Sequence, residues 1–304
     1  MENVSFDTSP VVQDISAFED MKTPSMSYWQ DAWRRLKQNK YALLSLGIIV
    51  GIILAAIIGP FFSAYSYSWQ ELDSINHSPS WEHWFGTDAL GRDLFIRVLY
   101  GARISLSIGV VVSLINLGIG VIYGGMSGLL GGKVDRLMMN FVDILYGIPS
   151  VIYVILLMVF LKPGLLNIFL AMGIAGWLGM ARMVRGQILS LKEQEFVLAA
   201  HTIGANRKRI LWQHLLPNAM GIIVINLTLA IPRAIFLEAF LSYIGLGVAA
   251  PMASWGVLAN EGVSVLRVYP YQLFFPSLAI CLTLLAFNYL GDGLRDALDP
   301  KMRL

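Results

Sequence analysis

The chain has 304 residues, 56% of them hydrophobic and only 14% charged, with a mean hydropathy of +0.64. An ordinary soluble domain carries about a quarter of its residues charged, so the composition excludes one and points to a polytopic membrane protein. The net charge of +2 excludes little, because where the charges lie is more informative than their sum.

Residues 1–27 are rich in acids and show no helical or strand period, which reads as a cytoplasmic tail. About forty mostly polar residues precede the first apolar run and no small-residue cleavage site follows it. That run is expected to stay as an uncleaved anchor. In YWQDAWRRLKQNK, Trp29, Trp33 and Leu36 fall on one helical face, surrounded by Arg34, Arg35, Lys37 and Lys40. This suits a basic amphipathic helix at an anionic membrane surface. An ordinary basic flank before a span suits it too. Residues 1–40 therefore form a tail and interfacial helix, and residues 41–304 a transmembrane domain.

The hydropathy predicts six spans, at about 41–64, 102–130, 137–161, 165–183, 218–246 and 272–291. An even number puts both termini on one side. With the termini inside, sixteen Lys and Arg face the cytoplasm (Lys22, Arg34, Arg35, Lys37, Lys40, Lys133, Arg136, Arg182, Arg185, Lys192, Arg207, Lys208, Arg209, Arg295, Lys301 and Arg303). Five face outward: Arg92, Arg97, Arg103, Lys162 and Arg267. That asymmetry follows the positive-inside rule. Cys281, the only cysteine, lies in the last span; no intrachain disulfide is open to it, and it reads as a small buried hydrophobe.

Gly120, Gly124, Gly128 and Gly132 recur at every fourth position and line one helix face, predicting close approach of a helix in the bundle or in a partner subunit. Two outward segments, about 65–101 and 247–271, are long and aromatic. They are expected to cap the bundle or meet an external partner, or to form interfacial Trp and Tyr belts.

Enzyme chemistry finds no support. There is no G-x-x-x-x-G-K-[ST] loop, no H-E-x-x-H and no G-x-S-x-G. His77 and His83 read as loop residues rather than metal ligands, and His201 and His214 lie on the other side of the membrane. Ionisable groups inside spans default to a functional role because lipid penalises them. Asp143 shares a helix face with Arg136 and Asn140. Arg233 and Glu238 follow Pro232, five residues apart, which is poor spacing for a pair on one helix. Either these three groups line a pathway, or Arg233 meets a carboxylate on a neighbouring helix and fixes packing.

The segment from about 184 to 217 is too long for a simple connection. Phe196, Val197, Ala200 and Ile203 make a short apolar stripe, Gly204 fits a helix stop and Asn206 an N-cap. A second short helix then runs to Pro217, which closes it. Arg207, Lys208 and Arg209 fill the first turn of that helix, where its dipole disfavours cations by roughly 0.3–1 kcal/mol each. An acidic partner surface or lipid headgroups would offset the repulsion.

These residues resemble the cytoplasmic loop E-A-A-x3-G-x9-I-x-L-P of permease subunits of bacterial ATP-binding-cassette importers, in the dipeptide/oligopeptide branch. Ala199, Ala200, Gly204, Leu216 and Pro217 stand in register; Leu198 replaces the glutamate and His214 the isoleucine. WRRLKQNKYALLSLGIIV, HWFGTDALGRDLFIRVLYGARISL, EAFLSYIGLGVAAPMASWG and FNYLGDGLRDALDPKMRL are similar to other stretches of that branch, from about residue 28 onward. The resemblance implies an all-α, MetI-like type I importer permease fold with six transmembrane helices. It places the chain in the bacterial cytoplasmic (inner) membrane, both termini cytoplasmic. It implies a homologous second permease, two ATPase subunits that bind the ATP and Mg, and an extracellular or periplasmic peptide-binding protein. Peptide and membrane lipid are further partners; nucleic acid is not, and the chain itself holds no cofactor. It also implies that the loop docks in an ATPase groove, with Ala199, Ala200 and Gly204 shaping the turn. Ala205 and Asn206 lead into the helix that makes the contact, and Pro217 ends it; the assignment of Arg207, Lys208 and Arg209 to that contact rests on their position in its first turn, not on the resemblance. Alternative cargoes are nickel chelates, glutathione or another small solute. An ion-driven secondary transporter is the alternative of another class.

Overall fold

A computed structural model describes residues 27–298. The N-terminal tail, residues 1–26, and residues 299–304 lie outside the described residues, and with them Lys22, Lys301 and Arg303. The described residues are almost wholly helical and contain no strand. Helix α1, Tyr28–Gln38, splits the predicted face: it buries Leu36 with Ala32 and leaves Trp29 and Trp33 exposed. Asn39 then caps α2, Lys40–Ile58, its Oδ1 accepting from the N–H groups of Tyr41 and Ala42 at 3.1 Å each. Helix α3 is Leu94–Leu130, α4 Gly132–Tyr146, α5 Ser150–Leu161 and α6 Leu165–Lys192. Helix α7 is Glu195–Thr202, α8 Leu216–Tyr243, α9 Trp255–Ser264 and α10 Tyr271–Leu298.

Five helices are long and apolar enough to cross a membrane, and a sixth crossing exists if α4 and α5 count as one broken span. The third predicted span is thus not one helix. It bends by 77° between Tyr146 and Ser150. The residue before a proline avoids the helical region, and Pro149 has no N–H to extend the ladder. The second span also begins earlier than predicted, at Leu94, because Asp93 caps it by accepting from the Ile96 N–H at 2.9 Å.

The glycine stripe forms a contact within the chain. A Cβ on Gly120 would stand 2.6 Å from the Cβ of Met180, and one on Gly128 2.9 Å from that of Ile188, while one on Gly124 would collide with the Ala181 carbonyl. These glycines let α3 lie directly on α6. Gly132 does not belong to the stripe. Gly131, at φ 65°, ends α3, and Gly132 opens α4 with nothing near it. Sequence spacing alone carried the stripe one turn past the helix end.

Tyr28 Oη donates to the Leu298 carbonyl at 3.2 Å, so α1 and the last turn of α10 share one end of the bundle. The segment after α6 joins them there. Residues 65–93 and α9 sit at the opposite end, beside the start of α3. Their core is ionic: the Asp88 carboxylate accepts from Arg92 Nε at 2.7 Å and from Arg97, whose Nη1 also donates to Glu261 at 2.7 Å. His83 Nδ1 meets Asp93 at 2.8 Å. Burial, reinforced by the carboxylates of Glu82, Asp93 and Glu71, holds the Tyr65 hydroxyl above its ordinary pKa. This segment therefore caps the bundle, yet Trp69, Trp81 and Trp84 remain exposed on it. Cys281, expected to be buried, faces outward from α10.

Candidate functional sites

The stretch after α6 is built as a surface device. Val197 and Ala200 of α7 are buried against Val184 and Ile188 of α6 and against Ile210, Leu211 and Leu215. Gly204, at φ +83°, ends the helix. The Ala205 N–H reaches the Ala200 carbonyl at 3.0 Å and the Gly204 N–H that of His201 at 3.0 Å, the paired bonds of a Schellman end. Asn206 Oδ1 accepts from the Arg209 N–H at 2.8 Å, the predicted N-cap.

Two expectations fail here. The apolar stripe splits, with Val197 and Ala200 inside but Phe196 and Ile203 outside; Ile203 is 81% exposed and the neighbouring Leu198 69%. Pro217 does not close the second helix. The turn Arg207–Arg209 runs through a π-helical turn, Ile210–Leu215, directly into α8. The π turn just before Pro217 shifts the hydrogen-bond ladder, so the helical run continues past a residue that has no N–H to give. The surface left uncovered carries Leu198 and Ile203 with Arg207, Lys208 and Arg209, all exposed.

A fork of hydrogen bonds ties this end to the bundle. Arg185 of α6 donates through Nε and Nη2 to the two oxygens of Asp135, each at 2.6 Å, and Ser127 of α3 donates to the same carboxylate at 2.5 Å. Lys192 Nζ donates to the Leu129 carbonyl at 2.8 Å, satisfying the end of α3. Asp135 was not singled out from the sequence. Its position eight residues after Ser127, across a Gly-Gly break, gives no periodic signal.

The three pathway candidates go to three different places. Asp143 is half exposed and pairs with Arg182, whose guanidinium also lies 4.2 Å from the centre of the Tyr146 ring. Glu238 is fully buried where α3, α8 and α9 meet. It accepts from Ser242 at 2.6 Å, Ser254 at 2.5 Å and Ser105 at 3.2 Å. Of the three, only Arg233 lines a cavity, a space of about 540 Å³ bounded by α3, α6, α8 and the break before α5. Asn116, Ser150, Tyr153 and Asn226 line the same space. The five-residue spacing from Arg233 to Glu238 indeed turns the two side chains to different surroundings.

A helical bundle with several membrane-crossing lengths, a broken helix beside a half-open cleft and a folded surface helix at one end defines a multi-pass membrane permease. The sequence matches the binding-protein-dependent transport system inner membrane component family over residues 117–304. It also matches the N-terminal TM domain of oligopeptide transport permease C over residues 27–79. The chain belongs to the binding-protein-dependent permease family. It is 53% identical over 294 residues to the oligopeptide transport system permease protein OppC of Bacillus subtilis, covering 97% of this chain and 96% of that relative. Identity to the dipeptide transport system permease protein DppC of the same organism is 54% over 286 residues, covering 94% and 89%. Identity to OppC of Escherichia coli K12 is 44% over 287 residues, covering 94% and 95%.

Proposed function

We propose that this chain is a permease subunit of an ATP-driven importer of oligopeptides or dipeptides in the bacterial inner membrane. It forms half of the pathway beside a homologous second permease. Of two ATPase subunits, which hold the ATP and Mg, one docks on the surface of α7 and the turn after it and the other on the second permease, and a peptide-binding protein delivers cargo at the end formed by residues 65–93. Both termini are cytoplasmic in this arrangement. The observation that carries the proposal is the segment 195–217. An apolar pair, Leu198 and Ile203, stands exposed on and just after α7, and three cations on the turn that follows, while Val197, Ala200, Ile210 and Leu211 anchor the segment in the bundle core. A helix so fixed transmits a push, and exposed apolar side chains of this size call for a partner. With Leu198 in place of the motif acid, contact leans on apolar burial and on Arg207, Lys208 and Arg209.

The test replaces Leu198 and Ile203 together by Asp in the complete complex. Both are exposed, so the chain should still insert and purify with the second permease. Burying two such side chains is worth about 3 kcal/mol, so ATPase subunits should be lost on washing by more than ten-fold relative to the unaltered complex. Normal retention of the ATPase subunits overturns the docking assignment. Ion-driven uptake by the chain alone in vesicles would favour a secondary transporter instead.

A further inference from the structure

Arg233 is a permanently charged group within α8, one of the helices long and apolar enough to cross a membrane. Among the described residues it has neither a hydrogen-bond nor an ion-pair partner. Such a group is costly in that setting and is kept where a counter-charge arrives. Among the described residues, the acids nearest in the sequence and the bundle are already engaged. Glu238 on the same helix is held by three serines, Asp143 by Arg182 and Asp135 by Arg185. The cavity that Arg233 lines has no Asp or Glu in its wall. Its other polar groups are neutral: Asn116, Ser150, Tyr146, Tyr153 and Asn226.

Asn116, on α3, lines the same cavity. Its Oδ1 is buried without a partner, and a Cβ on the neighbouring Gly176 would collide with its amide. Gly176 thus keeps room for an amide group whose oxygen has no partner among the described residues. The cavity, about 540 Å³ and half open with Arg233 exposed on its wall, is of the size that holds small ligands. It offers one fixed cation, an unpartnered amide, neutral hydroxyls and no competing anion. That set fits a free carboxylate joined to peptide groups.

We propose that Arg233 binds the C-terminal carboxylate of a peptide crossing this cavity, with Asn116 meeting a backbone amide of the same peptide. The inference rests on the peptide-importer reading and adds which end of the cargo is held, and by what. It makes the free carboxylate, rather than any side chain, the feature that the pathway itself selects.

The experiment uses the full complex in proteoliposomes with saturating binding protein, and measures ATP-driven uptake of Ala-Ala-Ala and of its C-terminal amide. The unaltered complex should move the acid about ten-fold faster, the scale of one charge-assisted hydrogen bond. R233Q should bring the acid down to the rate of the amide and leave the amide within about two-fold; R233K should keep part of the preference. Equal uptake of both peptides by the unaltered complex overturns the inference. So does an equal slowing of both by R233Q in an intact complex. Loss of the second permease from R233Q on purification also overturns it, since the carboxylate would then belong to a protein partner. If the unaltered complex moves neither peptide, the peptide reading falls and this inference falls with it.

Discussion

Glu238 brings a carboxyl group into a buried junction, and among the described residues no cation pairs with it. Three serine hydroxyls from α3, α8 and the start of α9 donate to it instead. Ser105 in turn accepts from the Trp255 N–H at 3.2 Å, so one carboxyl organises the contact of three helices. Glu238→Gln keeps an acceptor for Ser242 and Ser254 and offers Ser105 a donor. It should cost less than about 1 kcal/mol. Glu238→Leu removes the acceptor that three buried hydroxyls share and should cost about 2–4 kcal/mol, read as a fall in thermal stability of the purified protein in detergent. Equal stability of the two variants would show that the serines rearrange freely. Only Ser242, one helical turn away, was legible as a neighbour of Glu238; Ser105 and Ser254 come from remote segments.

At the scale of elements, the α3–α6 contact depends on backbone approach. Gly124→Ala places a methyl group against the Ala181 carbonyl, and overpacking of this kind costs about 1–3 kcal/mol. Gly118→Ala on the same helix meets nothing within 4 Å and should be neutral. Thermal melting of the two purified variants separates the cases, and equal melting would remove the stripe as a packing device. Helix periodicity alone identified Gly120, Gly124 and Gly128 as one face. It could not show that Gly131 ends the helix and removes Gly132, because a positive φ is a property of the backbone path. The Gly204 stop and the Asn206 cap were legible for the opposite reason. Both rest on local backbone chemistry within a few residues. The apolar stripe of α7 was legible only in part, since which of Phe196, Val197, Ala200 and Ile203 is buried depends on where α6 and α8 lie.

For the whole molecule, the fold makes one geometric statement about topology. Helix α1 and the end of α10 meet through Tyr28 and Leu298, so both ends of the described chain lie at the end opposite the cap formed by residues 65–93. With Cys281 replaced by Ser, a membrane-impermeant maleimide should label Trp81→Cys in intact cells, where the native side chain is 96% exposed. Lys133→Cys, at the other end, should react only after the membrane is opened. The reverse pattern would invert the orientation drawn from the Lys and Arg asymmetry.

By itself the sequence determined that this is a helical, multi-pass membrane protein, and it placed the Gly204 stop and the Asn206 cap. Each follows from composition, period or capping chemistry acting over one or two helical turns. Only the tertiary structure decided that the third span is broken at Pro149, that Pro217 sits inside a continuous helical run, and that Asp143, Arg233 and Glu238 have separate fates. Those outcomes turn on which side chains other helices bring within bonding distance. A carboxylate becomes a packing centre when three serines converge on it, and an arginine becomes a candidate binding group when every nearby acid is already taken.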